Sequence, residues 1–517
     1  MLKVIVTALT LVSSDGLPSK APDAVGMSAT RLESIDRVVQ RGIKAGGYPG
    51  ASVVVGRKGA AVWQKGFGNL SWSPISSAVT ADRTIYDVAS LSKVVGTTTA
   101  VMILFDEKKV ELDAPVFRYL PAFSGGAKDR VTVRDLLTHR SGLPAGRDLW
   151  RAARSPQEAR DMVLATPLSY SPNQGYVYSD LGADVLGMIV ESVAGERLDT
   201  FLARRVFGPL GMNDTFYRPP DSVRYRTAPT EVTPPRGYPL KGEVHDENAY
   251  ALGGVAGHAG LFSTAADLSI FAQMMLNGGK YDGVEIFSDS TVSLFIRRAA
   301  GHRALGWDTA DGDYGSGRYL TERAYGHTGY TGTSIWIDPD REMFVVLLTN
   351  RVHASKAQRP AKIIADIRSD LSDAAVLAVL DGPTPVLAMP TAFRADGQVG
   401  WTRPTPVPVR CTKATRARSA RSKGNRTRVK CATASRKASS SRSSKSTKAS
   451  RAAAAKAKSS KAKRTTAAKA NSTRTSRAAA ARAKSSKATS ASARKRAAAK
   501  KATAKARASS RTASKSS

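Results

Sequence analysis

Between Val88 and Phe105 the chain reads VASLSKVVGTTTAVMILF. The apolar positions after the serine predict a buried helix that begins near Ser90. Ser90 and Lys93 fit the pattern S-x-x-K, and side chains three positions apart share one face of a helix. A serine hydroxyl becomes nucleophilic when a base takes its proton, and an unprotonated lysine or a phenolate can do so. The stretch predicts an activated serine at a helix N-terminus, where N–H groups favour negative charge; the alternative is a capping serine with a surface lysine.

A second polar group follows the turn-rich stretch Ser171–Gly175. Tyr178, Ser179 and Asp180 stand directly before a predicted helix over Leu181–Ala194, so a phenol and a carboxylate lie at a loop–helix junction. Taken alone, these residues also fit a core aromatic side chain followed by an N-cap aspartate.

A third polar group is formed by His327, Thr328, Gly329 and Tyr330, just before a predicted strand over Thr333–Asp338. Glycines at such a place let a substrate approach the edge of the strand. The alternative interpretation is an ordinary glycine turn.

Strands are predicted near both ends of the first 380 residues. A helix over Ala29–Ala45 precedes a hairpin of Ala51–Gly56 and Ala61–Gly66. A second hairpin joins Thr333–Asp338 to Met343–Asn350, before a closing helix over Lys356–Leu380. The region between is mostly helical, with predicted helices over Val94–Phe105, Gln157–Ala165, Leu181–Ala194 and Ala265–Leu276. The pattern predicts an α+β fold, in which an antiparallel sheet of N- and C-terminal strands is flanked by helices and carries a mostly helical insertion.

The three motifs, in this order, resemble the serine β-lactamase and penicillin-binding protein superfamily, whose elements are S-x-x-K, Y-x-N or S-D-N, and K-T-G or H-T-G. The resemblance covers about Pro22–Leu380. The stretches Val131–Leu143 and Gly257–Thr264 are similar to the branch of class C β-lactamases, D-alanyl-D-alanine carboxypeptidases and related esterases. It implies the β-lactamase/transpeptidase-like fold.

The resemblance also implies roles for the motif residues. Ser90 would be the nucleophile, Lys93 its activating partner, and Tyr178 the phenol that carries protons to and from the leaving group. Whether Lys93 or Tyr178 is the base stays open. Backbone N–H groups of Ser90 and Tyr330 would form the oxyanion hole. The implied oxyanion and substrate-binding residues are Asp180, His327, Thr328, Gly329 and Tyr330, of which His327 and Thr328 would orient the phenol or a substrate carboxylate.

Two positions depart from the family pattern. Asp180 replaces the usual Asn, and an ionised carboxylate near Lys93 would hold that lysine protonated. His327 replaces the lysine of K-T-G and removes a permanent positive charge. Both changes favour work on esters or peptides over efficient β-lactam hydrolysis.

The sequence gives no reason to expect a metal or another cofactor. The implied mechanism needs none, and the histidines lack the spacings H-x-x-x-H and H-E-x-x-H. His245-Asp246 is more typical of a capped loop. The other histidines outside the motifs are His139, His258, His302 and His353.

The net charge of +37 comes from the C-terminal region. Residues 401–517 hold 36 of the 79 Lys and Arg and none of the 42 Asp and Glu, so residues 1–400 carry 43 basic against 42 acidic side chains. This region of Lys, Arg, Ala and Ser has too little apolar bulk for a core, and we predict that it is disordered after a linker over 381–400. It could bind a polyanion such as nucleic acid, an anionic cell-wall polymer or lipid, without sequence preference; the alternative is a solvated tail with no partner.

The predicted domain over 22–380 contains no cysteine, because Cys411 and Cys431 both lie in the tail. It must therefore be held by its hydrophobic core, without disulfides. Residues 1–21 resemble a weak signal peptide or an N-terminal extension, and no later segment reaches membrane-spanning length. A real signal would place the protein in the periplasm or outside the cell, and its absence in the cytoplasm.

The sequence thus predicts a serine hydrolase that forms an acyl-enzyme on Ser90 and cleaves an ester or a D-amino-acid-containing peptide. The alternative is an inactive module that binds cell-wall peptides and is tethered to a polyanion by the basic tail.

Overall fold

A six-stranded antiparallel sheet joins strands from both ends of the domain. The computed structural model describes residues 16–312, 315–353, 361–382 and 385–401. The strands are β1 (Gly50–Arg57), β2 (Ala60–Gly68), β3 (Asp308–Thr309), β4 (Tyr325–Thr328), β5 (Ser334–Asp338) and β6 (Met343–Thr349). Their order across the sheet is β2–β1–β6–β5–β4–β3. The predicted α+β class is confirmed, and so are both predicted hairpins.

The central strands β1 and β6 are buried on both faces, as their apolar runs require. Successive side chains of a strand point to opposite faces. Val53 and Val55 belong to one hydrophobic cluster and Val54 to the other. Val54 lies opposite Val346 of β6, which joins the same cluster as Val54. The sheet therefore separates two cores.

Two helices, Ser34–Lys44 and Ala361–Leu377, cover one face of the sheet. The helix predicted over Ala29–Ala45 is present as two pieces, Ala29–Leu32 and Ser34–Lys44, which meet at Glu33. The predicted closing helix is confirmed from residue 361 to 377; residues 354–360 lie outside the described residues.

The larger cluster lies between the other face and the helical insertion. The α-helices of this region are Thr99–Asp106, Val133–Leu137, Leu149–Ala152, Pro156–Ala165, Asp180–Ala194, Leu198–Leu202, Glu247–Ala251, Ala265–Leu276 and Asp289–Ile296. Its short strands are Tyr86–Asp87, Phe216–Tyr217, Leu261–Ser263, Lys280–Tyr281 and Val284–Glu285. Three of the four helices predicted in this region are confirmed to within one residue at each end.

The fourth predicted helix, Val94–Phe105, differs from the expectation. The structure has a π-helical segment, Ser92–Thr98, followed by the α-helix Thr99–Asp106. The Thr99 hydroxyl donates to the Val94 carbonyl at 2.9 Å, five residues back, and so stabilises the wider turn. Segments of this kind are frequent at functional sites.

The region predicted to be a linker, 381–400, is packed against the domain in its described part. Residues Arg394–Gly397 form a short helix between Phe393 and Trp401, which are each 5% exposed. Trp401 Nε1 donates to Asp366 Oδ2 at 2.7 Å. The described part of 381–400 thus contacts the closing helix, because single aromatic side chains can bury without any periodic pattern; the domain boundaries stay predictions.

The other end regions cannot be compared with the sequence predictions. Residues 1–15, with the suggested signal, and 402–517, with the basic tail, lie outside the described residues. Within the described part of the chain, no helix combines the length and apolar character that crossing a bilayer requires.

Candidate active site

Ser90 lies at a sharp turn between the strand Tyr86–Asp87 and the helical segment Ser92–Thr98. The residue before it, Ala89, has a φ of 49°, which is rare for a residue other than glycine. The buried Asp87 carboxylate holds this turn, since it accepts the N–H of Ala89 at 2.8 Å and of His245 at 2.7 Å. Strain maintained in this way is typical of functional sites.

Lys93 contacts three acceptors. Its Nζ lies 2.9 Å from Ser90 Oγ, 2.8 Å from Asp180 Oδ1 and 3.0 Å from the His258 carbonyl oxygen. An ammonium group has three N–H donors, which matches this set. Burial by itself lowers the pKa of Lys93, but negative charge on Tyr178 and Asp180 raises it above the ordinary value. Lys93 is therefore a cation that donates to Ser90.

Tyr178 lies between two cations and two histidines. Lys93 Nζ is 4.9 Å from the centre of its ring, and the Arg303 guanidinium is 5.7 Å away. The rings of His139 and His327 are centred 4.6 Å and 6.0 Å from it. Tyr178 therefore has a charged and aromatic surrounding on the side of Lys93.

The helix Asp180–Ala194 explains why Asp180 reaches Lys93. Ser179 caps this helix by accepting the Gly182 N–H at 3.1 Å, which places Asp180 in the first turn. The Ser179 N–H donates to His139 Nδ1 at 3.1 Å. Burial, then the charges of Arg303 and Lys93, lower the pKa of His139 well below 6.5, so this ring is a neutral acceptor.

His327 is also neutral. It is 2% exposed, and its Nδ1 lies 2.9 Å from the Thr328 carbonyl oxygen. Burial lowers its pKa to about 4, against the partial compensation of Asp308. Nδ1 therefore carries the proton. Nε2 lies 3.9 Å from Asp308 Oδ2, has no hydrogen-bond partner among the described residues, and is an acceptor at the cavity wall.

The loop from Thr328 to Thr333 connects β4 to β5 beside Ser90. Gly329 fits there because a Cβ would lie 2.1 Å from Thr333 Oγ1 and 2.5 Å from the Val88 carbonyl. Tyr330 is 50% exposed, and its ring stacks on His245 with the centres 5.8 Å apart.

Two cavities meet at Ser90. The larger, of about 820 Å³, lies on the side of His327 and Arg368. The smaller, of about 240 Å³, lies on the side of Asp180 and His245. Ser90, Tyr178 and Tyr330 line both. A substrate that occupies both would place its scissile bond at Ser90.

The structure therefore brings all eight sequence-predicted site residues together around Ser90. Their places are as follows: Ser90, Tyr178, Asp180, His327, Thr328, Gly329 and Tyr330 line the two cavities, and Lys93 lies beneath Ser90.

Sequence reasoning missed several residues of this site, among them Arg303 and His258. Arg303 stands over Tyr178 and binds Asp308, and nothing in the sequence around it indicates a site. His258 binds Asp184 at 2.7 Å and Asp246 at 2.9 Å, while its carbonyl binds Lys93. The stretch Gly257–Thr264 was the one signal for His258.

The Asp184–His258–Asp246 cluster is a charged support under Lys93. Burial lowers the pKa of His258, but the two carboxylates raise it well above 6.5. Asp246 also caps the helix Glu247–Ala251, as the capped-loop interpretation predicted, by accepting the N–H groups of Asn248 and Ala249 at 2.9 Å.

Comparison with known proteins identifies the family of this chain. Residues 35–368 match the family model described as "Beta-lactamase". A "Putative D-alanyl-D-alanine carboxypeptidase" of Salmonella schwarzengrund is 33% identical over 381 residues, which cover 66% of this chain and 87% of the relative.

Solved structures share the fold at low sequence identity. A penicillin-binding protein homologue from Caulobacter crescentus is 21% identical, with a TM-score of 0.54, and the match covers 68% of this chain and 99% of the homologue. A class C β-lactamase is 21% identical, with a TM-score of 0.55 and coverage of 69% and 98%. A hydrolase with promiscuous acyltransferase activity is 20% identical, with a TM-score of 0.55 and coverage of 67% and 99%.

Proposed function

The chain belongs to the beta-lactamase family and is a serine hydrolase of that superfamily, and from this premise we propose that it forms an acyl-enzyme on Ser90 and cleaves an ester or a D-amino-acid-containing peptide. The observation that carries the proposal is the 2.9 Å contact between Lys93 Nζ and Ser90 Oγ, at the meeting point of the two cavities.

Tyr178 is the base in this proposal. Lys93 already donates to Ser90 and is held as a cation by Asp180, so it has no lone pair to accept a proton. In this proposal Tyr178 acts as a phenolate, and the Lys93 and Arg303 cations lie 4.9 Å and 5.7 Å from the centre of its ring. Lys93 then serves to orient the Ser90 hydroxyl and to stabilise the phenolate.

The proposed reaction has two steps, acylation of Ser90 and hydrolysis of the acyl-enzyme. The proton of the Ser90 hydroxyl passes to the Tyr178 oxygen while Oγ bonds to the substrate carbonyl carbon. The resulting oxyanion is stabilised by the N–H groups of Ser90 and Tyr330. As the bond to the leaving oxygen or nitrogen breaks, Tyr178 returns the proton to that atom. Water then repeats the sequence on the acyl-enzyme and releases the acid.

Two features of the site favour an ester without a carboxylate over a β-lactam. His327 is neutral, so this position supplies no cation for a substrate carboxylate. Asp180 offers an acceptor and is already bound to Lys93, so it cannot donate to an acyl side-chain carbonyl as Asn would.

Turnover of p-nitrophenyl acetate tests the proposal. We expect a pre-steady-state burst equal to the enzyme concentration, which is lost in Ser90→Ala. Rates on an aryl ester, a D-alanyl-D-alanine peptide and nitrocefin then rank the substrates, with nitrocefin lowest. Tight peptide binding without any turnover would overturn the proposal.

The basic tail supplies a separate, polyanion-binding function in our proposal. Its support is the charge pattern, 36 basic and no acidic side chains over 401–517, which favours salt-sensitive binding by counterion release. A chain that ends after Trp401 should lose salt-sensitive retention on DNA and keep its esterase rate. Unchanged retention would refute the role of the tail.

A further inference from the structure

We propose that Arg368 is a positioning residue that strengthens the oxyanion hole. It binds the carbonyl oxygen of Gly329, which belongs to the same peptide group as the N–H of Tyr330, one of the two proposed oxyanion donors. The inference rests on the proposed acyl-enzyme on Ser90 and concerns a residue of the closing helix, Ala361–Leu377, that no part of that mechanism uses.

The geometry places the guanidinium on the loop beside Ser90. Arg368 Nη2 lies 2.5 Å from the Gly329 carbonyl oxygen and 2.9 Å from the Thr333 carbonyl oxygen. The Gly329 N–H also donates to Thr333 at 2.8 Å, so these bonds close the loop from two sides. The conformation of the loop, and with it the direction of the Tyr330 N–H, is thereby fixed.

The contact between Arg368 and the Gly329 carbonyl reaches the oxyanion through a single peptide group. The carbonyl of Gly329 and the N–H of Tyr330 belong to a single peptide group, whose atoms share delocalised electrons. A cation that binds the oxygen withdraws electron density from the nitrogen and makes the N–H a stronger donor, as in other cooperative hydrogen-bond chains. Arg368 therefore acts on the oxyanion through the amide, without touching it.

Arg368 forms no ion pair with any residue that the structure describes. Among the described residues no carboxylate lies within ion-pair distance of it, and its Nε is buried without a hydrogen-bond partner. Burial and the neighbouring charge of Arg351 lower its pKa to about 9, so it stays a cation at neutral pH. Its positive charge therefore acts on the Gly329–Tyr330 amide from a buried position, where water screens it less.

Arg351 provides a matched comparison on the same loop. Its Nε donates to the Tyr330 carbonyl oxygen at 2.9 Å. That carbonyl belongs to the next peptide group, between Tyr330 and Thr331. The two arginines therefore bind adjacent carbonyls, and only Arg368 binds the amide that carries the Tyr330 N–H.

The test measures the acylation rate constant from the burst with p-nitrophenyl acetate, for wild type, Arg368→Gln and Arg351→Gln. We expect Arg368→Gln to acylate about 10- to 100-fold more slowly with little change in KM, since loss of a whole oxyanion donor costs about 10²- to 10³-fold. Arg351→Gln should lose much less. Equal losses in both variants, or no loss in Arg368→Gln, would overturn the inference.

A second readout separates the oxyanion from stability of the fold. Phenylboronic acid forms a tetrahedral adduct with a catalytic serine, and one of its oxygens occupies the oxyanion hole. Its inhibition constant should rise in Arg368→Gln by about the same factor as the acylation rate falls, and Arg368→Lys, which keeps the charge, should recover part of both. If Arg368→Gln is unstable, Arg368→Ala with added guanidinium should regain acylation, and failure of this rescue in folded protein would contradict the inference.

The result also separates this inference from the proposed function. A wild-type burst that Ser90→Ala abolishes supports the acyl-enzyme, and an unchanged burst in Arg368→Gln would then refute the role of Arg368 alone. No burst in wild type would refute both.

Discussion

Lys93 Nζ lies 2.8 Å from Asp180 Oδ1, in an ion pair directly beneath the Ser90 hydroxyl. The carboxylate helps to keep the lysine protonated, against the burial that lowers its pKa. Together with Tyr178, Asp180 raises the pKa of Lys93. In the proposed mechanism the cation stays on Lys93, and Tyr178 is the proton acceptor.

Replacing Asp180 by Asn should lower the pKa of Lys93, because a negative charge in contact with it is lost. If the Lys93 ammonium is required, activity is lost as the pH rises through that pKa. The variant should therefore lose kcat/KM at lower pH than wild type, in a profile measured from about pH 8 to about pH 11.5, across and above the ordinary lysine pKa. Asp340→Asn, in a distant surface pair with Arg323, should leave the profile unchanged. Coincident alkaline limbs would contradict the role of Asp180.

Removing the phenol of Tyr178 should slow acylation by about 10²- to 10⁴-fold, the usual range for loss of a general base. The expected site of the effect is kcat, and the melting temperature of Tyr178→Phe should stay close to that of wild type. The matched control is Tyr225→Phe, whose ring is 65% exposed and lies outside both cavities. A normal burst in Tyr178→Phe would contradict this role and leave Lys93 as the candidate base.

Replacing His258 by Gln should destabilise the fold by about 3 kcal/mol, near the low end for breaking a buried ion pair because Asp246 is partly exposed. The folded pKa of His258 is raised above its unfolded value, so its contribution is complete below about pH 6.5 and is lost as the pH rises through the folded pKa. The difference between wild type and variant, measured by urea unfolding, should therefore shrink toward high pH.

The control for this variant is His302→Gln. The side chain of His302 is 70% exposed, and we expect a change within about 0.5 kcal/mol at every pH. A difference between wild type and His258→Gln that grows with pH would show that the His258 ring is neutral in the folded protein.

Replacing Trp401 by Ala should destabilise the domain by about 3 to 5 kcal/mol, as for other buried Trp and Phe side chains. The reason is the loss of a 5% exposed ring and of its hydrogen bond to Asp366. Val399→Ala, at a position that is 74% exposed, is the control. An unchanged midpoint in Trp401→Ala would support the linker over 381–400 that its composition predicts.

The sequence was sufficient to predict four of the six strands of the sheet and the convergence of the eight motif residues. Periodicity identified β1, β2, β5 and β6, and the spacing of Ser90 and Lys93 is local, so one helical turn brings them together. Tyr178 and His327 were identified because their motifs follow in a known order, which is information about a family and not about local physics.

Long-range charge contacts could not be predicted in the same way. His258 binds Asp184, 74 residues away, and in the sequence both look like ordinary polar side chains. Arg368 lies on an amphipathic helix, where an arginine usually indicates a solvated face. Trp401 followed a Pro- and Gly-rich stretch without periodicity. Each of these contacts depends on how distant elements pack, which no local pattern records.

The most direct measurement of the central claim is the site of covalent labelling by a fluorophosphonate probe, read by mass spectrometry of the digested protein. The account predicts one adduct per chain, on the peptide that contains Ser90, and none in Ser90→Ala. Equal labelling of wild type and Ser90→Ala, or an adduct on another serine, would contradict it.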